Sequence, residues 1–331
     1  MTYLVIRFQS VGNVAMTVPV LESVCRLHPQ DTFVMVAKKR LSPLFYGLPN
    51  VRFHEADFSR GGLKGLLQLF HELRTYSIDA VIDLQDVLHT KILRFLFRLV
   101  GVRNYVVDYG RVEKRKMALQ GTRHLGPLPT EFERYRRTFE SAGLATDEAF
   151  TTIPVNVEAS SAVEQLYGVK TERWIGVAPF AKSKTNIWAY QCTKDLIVRL
   201  SRTPNTRVYL FGSGKIECEL LRQWASIMPN VVNAAGVLPL EQELELMRHL
   251  DVMICMDSAN QHLASVVGTR VITLWMGTHP NMGFAAWKQQ PSDRIQRDMA
   301  CRPCTVHGTN HCRFGNYLCQ QIDVNTVLER I

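Results

Sequence analysis

Short apolar runs alternate with stretches of helical periodicity along the first half of the chain. The run Tyr3–Phe8 predicts a strand, and apolar residues then recur at helical spacing from Val14 to Leu27. The further elements predicted in this half are strands at Thr32–Ala37, Val51–His54, Ala80–Leu84 and Tyr105–Asp108 and helices at Leu63–Leu73 and Leu88–Val100. Strands that alternate with helices indicate a parallel sheet covered on both faces.

The alternation stops at residues 121–130, which are rich in glycine and proline, and restarts after a helix predicted at Glu131–Ala142. The second half carries predicted strands at Trp174–Ala178, Arg207–Phe211, Val252–Met256 and Val271–Leu274 and helices near Leu196–Arg202, Cys218–Met228, Leu240–Leu250 and Asn260–Val267. We therefore predict an α/β protein with two Rossmann-like doubly wound domains, residues 1–155 and 156–331, facing a central cleft.

Length and composition fit this prediction and exclude other classes. The 331 residues suit two domains, and 46% hydrophobic with 21% charged residues is typical of globular rather than disordered proteins. The best candidate for a membrane span, Ile92–Val102, is interrupted by Arg94, Arg98 and Gly101, so no spanning helix is predicted. The chain starts directly with a strand and without a signal-peptide pattern, so we expect a cytoplasmic protein.

The positive charge is concentrated in one segment. The net charge is +9, and residues 91–137 alone hold twelve basic and four acidic side chains, a net charge of +8. Such a segment attracts nucleic acid, a phosphorylated substrate or the acidic face of a membrane, and a solvated helix face is the simpler alternative. The charges are not interleaved with aromatic residues as on a single-strand binding platform, so we do not expect a nucleic-acid partner.

Four of the eight cysteines lie close together near the end of the chain. They form the pattern C-x2-C-x7-C-x6-C at Cys301, Cys304, Cys312 and Cys319. In a reducing compartment this spacing favours a structural zinc site over disulfides, although the second pair is wider than usual. Reduced or locally paired cysteines that hold a loop are the alternative.

Three loops that follow predicted strands carry groups suited to an anionic ligand. Gly12 permits a tight turn before the first helix, whose N-terminus offers free N–H groups. Lys182 and Lys184 follow the first strand of the second half and suit a diphosphate, although an exposed basic loop is the simpler explanation. Glu217 replaces the third glycine of a dinucleotide fingerprint, which makes NAD binding improbable and offers an acid to ribose hydroxyls.

The most specific stretch is MDSANQHLASVVGT, residues 256–269. Asp257 and Ser258 stand where a strand ends and a helix begins, with Asn260 and His262 in the first turn. Helix capping alone explains an Asp or a Ser at this point. Four polar side chains before an apolar helix are more than a cap requires, and the free N–H groups of the helix would bind a phosphate.

Four motifs together resemble glycosyltransferase family 9, the heptosyltransferases that use ADP-heptose. They are IRFQSVGN with the following Thr and Pro, DLQDVLHTK, MDSANQHLAS and WMGTHP, and the similarity runs from about Tyr3 to about Ile322. The resemblance implies a GT-B fold and inverting transfer of a heptose or related sugar from an ADP-sugar to a phosphorylated lipid A and core oligosaccharide. It also implies that no metal cofactor is required, and the chain contains no D-x-D motif.

The resemblance also implies roles for individual residues. The family's donor loop corresponds to Asp257, Ser258, Ala259, Asn260 and His262, and its adenine, ribose and further cleft positions to Leu238, Glu217, Gly277 and Thr278. The acceptor would lie against Asp83, Lys91, Arg111, Lys114 and Arg115 in the N-terminal domain, with peripheral contact to the anionic inner face of the membrane.

Two positions depart from the family pattern. The family carries an Asp as general base where this chain has Asn13, and an amide cannot accept the proton of an acceptor hydroxyl. The family's diphosphate lysine is replaced by Asn186, which leaves Lys182 or Lys184 as substitutes. We therefore weigh two functions, a sugar-nucleotide glycosyltransferase and a non-catalytic binder of sugar-nucleotide or core oligosaccharide that keeps the scaffold.

Overall fold

The computed structural model describes residues 1–8, 10–56, 61–121 and 126–331. Gln9 in the first-strand motif and Arg123 in the basic segment lie outside the described residues. The chain divides into two compact units, one of residues 1–109 and 131–154 and one of residues 110–130 and 155–331. Each unit is described by itself below.

Strands and helices alternate through both units. The strands are β1 (Thr2–Ile6), β2 (Thr32–Ala37), β3 (Val51–Glu55), β4 (Ala80–Asp83), β5 (Arg103–Val106), β6 (Arg173–Ala178), β7 (Thr206–Leu210), β8 (Val231–Asn233), β9 (Val252–Met256), β10 (Val271–Trp275) and β11 (Arg294–Gln296). The α-helices are α1 (Val11–Ala15), α2 (Val18–Leu27), α3 (Gly62–Arg74), α4 (Leu88–Leu99), α5 (Arg111–Gln120), α6 (Glu131–Ser141), α7 (Val157–Tyr167), α8 (Tyr190–Ser201), α9 (Lys215–Ile227), α10 (Leu240–His249), α11 (Ala259–Val266) and α12 (Val324–Leu328). Every predicted strand is present within two residues of its predicted bounds.

The first unit is built on a five-stranded parallel sheet in the order β3-β2-β1-β4-β5. Leu4 of β1 pairs in register with Val34 of β2 on one side and Val81 of β4 on the other. These central strands are buried along almost their whole length because helices cover both faces. Strand order reverses beside β1, which is where open α/β sheets place their ligands.

The helix predicted over Val14–Leu27 is two helices, α1 and α2. The break falls at Met16 and Thr17. Pro19 lies in the first turn of α2, and in one continuous helix its ring would clash with the carbonyl of Ala15. The Thr17 hydroxyl instead donates to the Val14 carbonyl at 2.7 Å and closes the end of α1.

The second unit has a six-stranded parallel sheet in the order β11-β10-β9-β6-β7-β8. β9 and β10 are buried at every residue, which explains their unbroken apolar sequence. The two edge strands, β8 and β11, are only three residues long, and the apolar pattern did not predict them.

Residues 110–130 belong to the second unit, whereas the prediction placed them in the first domain. The Lys114 ammonium lies 4.4 Å from the centre of the Phe284 ring, and the Leu128 amide donates to the Asn281 carbonyl at 2.9 Å. A helix assigned by sequence order to one domain is thus packed against the other domain's loops. Among the described helices, none is long and apolar enough to span a membrane.

A buried ion pair fixes the loop that follows β4. The Asp83 side chain is fully buried, and its Oδ2 lies 3.0 Å from Nε of Arg94 on α4. Its Oδ1 accepts the amides of Gln85 at 2.8 Å and Asp86 at 3.0 Å. The Gln85 side chain in turn accepts the Phe8 amide at 2.6 Å, so the β1 and β4 loops are held together.

Replacing Arg94 by Leu should destabilise the protein by about 3 kcal/mol, because it leaves the Asp83 carboxylate buried without its cation. Calorimetry should show a melting temperature lower by roughly 5 to 10 °C. Arg98→Leu, an exposed position on the same helix, is the matched control and should change stability by no more than about 0.5 kcal/mol. Equal melting temperatures for the two variants would contradict the structural role of this pair.

Candidate functional site

Three loops of the second unit meet at one edge of its sheet. They follow β6, β9 and β10, which are neighbours in the sheet, and the carboxyl ends of parallel strands lie at the same edge. The loops contain most of the predicted donor residues, namely Lys182, Lys184, Asn186, Asp257, Ser258, Gly277 and Thr278.

The N-terminus of α11 presents two buried polar atoms that no described residue satisfies. Ser258 caps the helix in extended conformation, and its Oγ has no hydrogen-bond partner. His262, one turn later and only 6% exposed, has no partner for Nδ1. Burial lowers the pKa of His262 to about 3, so its imidazole is neutral at physiological pH. Ala259 and Asn260 lie between them and are partly exposed. Unsatisfied buried polar atoms are rare, and at a helix N-terminus they indicate a site for an anionic ligand.

Asp257 joins two of the three loops. Its Oδ2 accepts the Thr278 hydroxyl at 2.6 Å, and its Oδ1 accepts the Gln261 amide at 2.9 Å. Burial raises the pKa of the Asp257 carboxyl to about 6, although both hydrogen bonds act in the opposite direction. The carboxyl group is therefore ionised at pH 7 and close to the point where it gains a proton.

Gly277 allows the loop after β10 to contact the loop after β6. A Cβ at this position would lie 2.6 Å from the Thr185 hydroxyl and 3.0 Å from the Thr185 carbonyl oxygen. The Gly277 amide donates to that same carbonyl at 2.9 Å. A larger residue would push the two loops apart, which accounts for glycine at this point.

The loop after β6 separates exposed lysines from a buried asparagine. Lys182 and Lys184 are exposed, and neither forms an ion pair with any described residue. Asn186, in the position of the family's lysine, is only 4% exposed and donates to the His307 carbonyl at 3.4 Å. The charge that Asn186 lacks is thus available on the two neighbouring lysines.

The cysteine segment, residues 301–320, packs on these loops. Arg302 is 1% exposed, and its guanidinium donates to the carbonyls of Met276, of Thr278 at 2.7 Å and of Arg297 at 2.5 Å. The Cys304 amide donates to the Gly277 carbonyl at 2.7 Å. Sequence reasoning missed Arg302 because an arginine between two cysteines carries no signal of its carbonyl partners.

The four cysteines do not form the predicted zinc site. All are free thiols, and residues 1–8, 10–56, 61–121 and 126–331 contain no group of three or more His, Cys, Asp or Glu side chains that could hold a metal ion. The segment is held instead by backbone hydrogen bonds and by Arg302. Its thiols differ in environment, since backbone amides, that of Tyr317 foremost, lower the pKa of Cys312, whereas burial raises that of Cys319 to about 11.

A wide cleft lies next to the loop that follows β8. It measures about 680 Å³ and is bounded by one side of α9 and by residues 233–237, whereas the predicted donor residues Glu217 and Leu238 are not among the residues that line it. Glu217, on the first turn of α9, accepts the Ser213 amide at 3.1 Å. Burial raises the pKa of the Glu217 carboxyl, and the hydrogen bond from Ser213 acts against that shift.

Gly12 and Asn13 lie on α1, directly after β1 in the first unit. Gly12 is buried, and Ser10 before it adopts a positive φ of 69° that bends the chain into the helix. Asn13 is partly exposed, and no described residue forms a hydrogen bond with its side chain. The amide of Asn13 is therefore accessible to a ligand at the edge of the first sheet.

The predicted acceptor residues are divided between the units. Asp83 is engaged by Arg94, and Lys91 is half exposed, 3.9 Å from Asp86. Lys114 is buried by its contact with Phe284 and so is not part of a basic surface, while its neighbours on α5, Arg111 and Arg115, are exposed. The +8 segment thus contains both exposed cations and cations already engaged within their own unit.

Two parallel-sheet α/β units of this kind form the architecture of the GT-B fold. The chain belongs to glycosyltransferase family 9 (heptosyltransferase), whose family model matches residues 66–316. The predicted fold and family are both confirmed.

Several known proteins are similar to this chain in sequence or structure. The lipopolysaccharide core heptosyltransferase OpsX of Haemophilus influenzae is 21% identical over 282 residues, which cover 83% of this chain and 79% of OpsX. The solved family 9 glycosyltransferase of Veillonella parvula superposes with a TM-score of 0.79 at 17% identity over 99% of this chain and 95% of the other. The ADP-heptose lipopolysaccharide heptosyltransferase II of E. coli superposes with a TM-score of 0.70 at 20% identity over 99% and 97%.

Proposed function

We propose that this protein transfers a heptose or related sugar from an ADP-sugar to the lipopolysaccharide core, with inversion at the anomeric carbon. The observation that carries the proposal is the N-terminus of α11, where Ser258 Oγ and His262 Nδ1 are buried without partners beside Asp257. The relatives support the donor and acceptor classes, since the E. coli protein is an ADP-heptose lipopolysaccharide heptosyltransferase and OpsX is a lipopolysaccharide core heptosyltransferase.

The donor's diphosphate would bind to protein groups in place of a metal ion. The free N–H groups of α11 and the neutral imidazole of His262 supply hydrogen bonds, and Lys182 and Lys184 supply positive charge. We expect Leu238 to lie beside the adenine and Glu217 to face the ribose hydroxyls, as the family resemblance implies, since these residues adjoin the loops that follow β8 and β7.

The acceptor would be a phosphorylated lipid A and core oligosaccharide at the cytoplasmic face of the membrane. In the transfer, an acceptor oxygen forms a bond to the anomeric carbon, the bond from that carbon to the diphosphate oxygen breaks, and the acceptor's proton passes to a base. Asn13 cannot take this proton, and the Asp83 oxygens are occupied by Arg94 and two backbone amides. Slow turnover is the expected consequence.

Donor binding should depend on the two free lysines. Calorimetric titration with ADP-glucose, a readily available ADP-sugar, should detect binding, and GDP- and UDP-glucose should bind more weakly. The double variant Lys182→Ala with Lys184→Ala should lose roughly tenfold or more in affinity, because two charged contacts to the diphosphate disappear. The exposed pair Lys38→Ala with Lys39→Ala is the matched control and should bind as the natural chain does. Failure of all three sugar nucleotides to bind would refute the proposed donor site.

Donor affinity should increase as pH falls from 8 to 5.5. The diphosphate of an ADP-sugar does not titrate in this range, and His262, with a pKa of about 3, stays neutral. Asp257, with a pKa of about 6, loses its negative charge as pH falls and no longer repels the diphosphate. We expect a gain of about fivefold to tenfold, corresponding to a shift of roughly one pKa unit on binding.

The Asp257→Asn variant should bind ADP-glucose with nearly the same affinity at both pH values. Glu243→Gln is the control, since burial raises the pKa of Glu243 to about 7 on a different helix. A pH response that survives in Asp257→Asn and disappears in Glu243→Gln would move the titrating group to α10.

Turnover by the Asn13→Asp variant should show whether the protein is a glycosyltransferase or a non-catalytic binding protein. Turnover of ADP-heptose on truncated lipopolysaccharide should rise about 100-fold or more in Asn13→Asp, because a general base typically contributes that much. Asn13→Ala is the control and should not gain. A different result is that the natural chain binds donor while neither it nor Asn13→Asp transfers sugar. That result would support the alternative function, a non-catalytic binding protein on the GT-B scaffold, which the presence of Asn13 favours.

A further inference from the structure

The outer side of α4 carries a stripe of exposed apolar side chains. Leu88 is 70% exposed, Phe95 59% and Leu99 67%, with Ile92 half-buried between them. Their spacing of four, three and four residues places all four on one side of the helix over roughly 16 Å. Such a row is unusual on a protein surface, because exposed apolar residues normally occur singly.

The opposite side of α4 is already packed into the core of the first unit. Thr90, Leu93 and Phe97 are buried there, and the Phe97 ring meets Phe70 of α3 edge to face at 5.0 Å between ring centres. The outer stripe therefore contributes nothing to the fold of this unit. The helix is apolar on two sides, and only one of them has a partner within the unit.

Unpaired positive charge borders the stripe. Residues 88–103 contain four Lys and Arg side chains and no Asp or Glu. Arg94 is used by Asp83 and Asp86, but Arg98 and Arg103 are exposed and form no ion pair with any described residue. At helical spacing Arg98 lies one turn from Phe95, so a cationic group borders the apolar stripe.

This combination identifies the partner by its chemistry. A helix with an apolar side and bordering Lys and Arg lies in the interface of a membrane that contains anionic lipids. A second copy of the chain is a poor fit, because two such surfaces would bring Arg98 and Arg103 against their own copies without a compensating acid. The bordering cations thus favour an anionic lipid surface over self-association.

We infer that the α4 stripe, Leu88, Ile92, Phe95 and Leu99, is a docking surface for an anionic lipid bilayer. The apolar side chains enter the headgroup region while Arg98 and Arg103 contact lipid phosphates. The inference deepens the proposed function, on which it rests for the location of a lipid-anchored acceptor. The observations that carry it are the exposed apolar side chains of α4 and the exposed cations Arg98 on α4 and Arg103 at the start of β5.

The test is co-sedimentation with lipid vesicles. The natural chain should bind vesicles of phosphatidylcholine with about 30% phosphatidylglycerol, bind pure phosphatidylcholine weakly, and dissociate in 0.5 M salt. The triple variant Leu88→Gln, Phe95→Gln and Leu99→Gln should lose at least about tenfold in partitioning, as should Arg98→Gln with Arg103→Gln. The matched control replaces three apolar residues of similar exposure in the second unit, Val157→Gln, Leu166→Gln and Val169→Gln, and should bind as the natural chain does.

The outcomes separate this inference from the proposed function. No binding by the natural chain, or equal binding by the stripe variant, overturns the docking surface whatever the result with ADP-glucose. A dimer in sedimentation velocity that the stripe variant alone converts to a monomer also overturns it and assigns the stripe to a second copy. Vesicle binding that depends on the stripe in a chain that binds no sugar nucleotide supports the surface and refutes the donor proposal. The stripe variant should bind ADP-glucose normally, which shows that it is folded.

Discussion

The buried guanidinium of Arg302 is the contact on which the arrangement of the donor loops depends. It satisfies carbonyls of Met276 and Thr278 in the loop after β10 and of Arg297 before the cysteine segment. Burial lowers its pKa to about 10, so it stays charged at neutral pH. A buried cation is tolerated only where its donors are used, and here three carbonyls use them. Arg302 thereby fixes the backbone of the loop that places the Thr278 side chain against Asp257.

The central strands could be predicted from sequence because burial on both faces requires a continuous run of apolar residues. The same applies to the α11 terminus, where Asp257, Ser258 and His262 lie within six residues of one another. Contacts between distant segments leave no such pattern. The bonds from residues 302–309 to residues 185 and 277 join positions far apart in sequence, and neither end differs in type from an ordinary loop residue. The cysteine spacing alone suggests a metal site because these bonds, which hold the segment, leave no pattern in the sequence.

The net charge of a segment does not show what each of its charged side chains contacts. The sum of +8 over residues 91–137 is correct, but the environment decides what each charge does. Arg94 neutralises Asp83, Arg136 pairs with Glu148, and Lys114 lies over Phe284. The sum therefore overstates the positive charge that is free on the protein surface. What sequence alone could not supply is the list of partners, which tertiary packing creates.

The packing of the cysteine segment explains why a short polar side chain suits position 186. Gly308 has a φ of 79° and approaches Asn186 so closely that a Cβ would lie 2.4 Å from its Oδ1. A lysine at 186 would have to displace this glycine or bury its ammonium, and either is unfavourable. Asn186 and the covering segment are therefore mutually compatible. Positive charge for a diphosphate can still come from Lys182 and Lys184, because both lie on the exposed side of the same loop. If positions 186 and 13 correspond to the family's lysine and aspartate, the first change moves a positive charge to neighbouring lysines and the second replaces a proton acceptor by an amide.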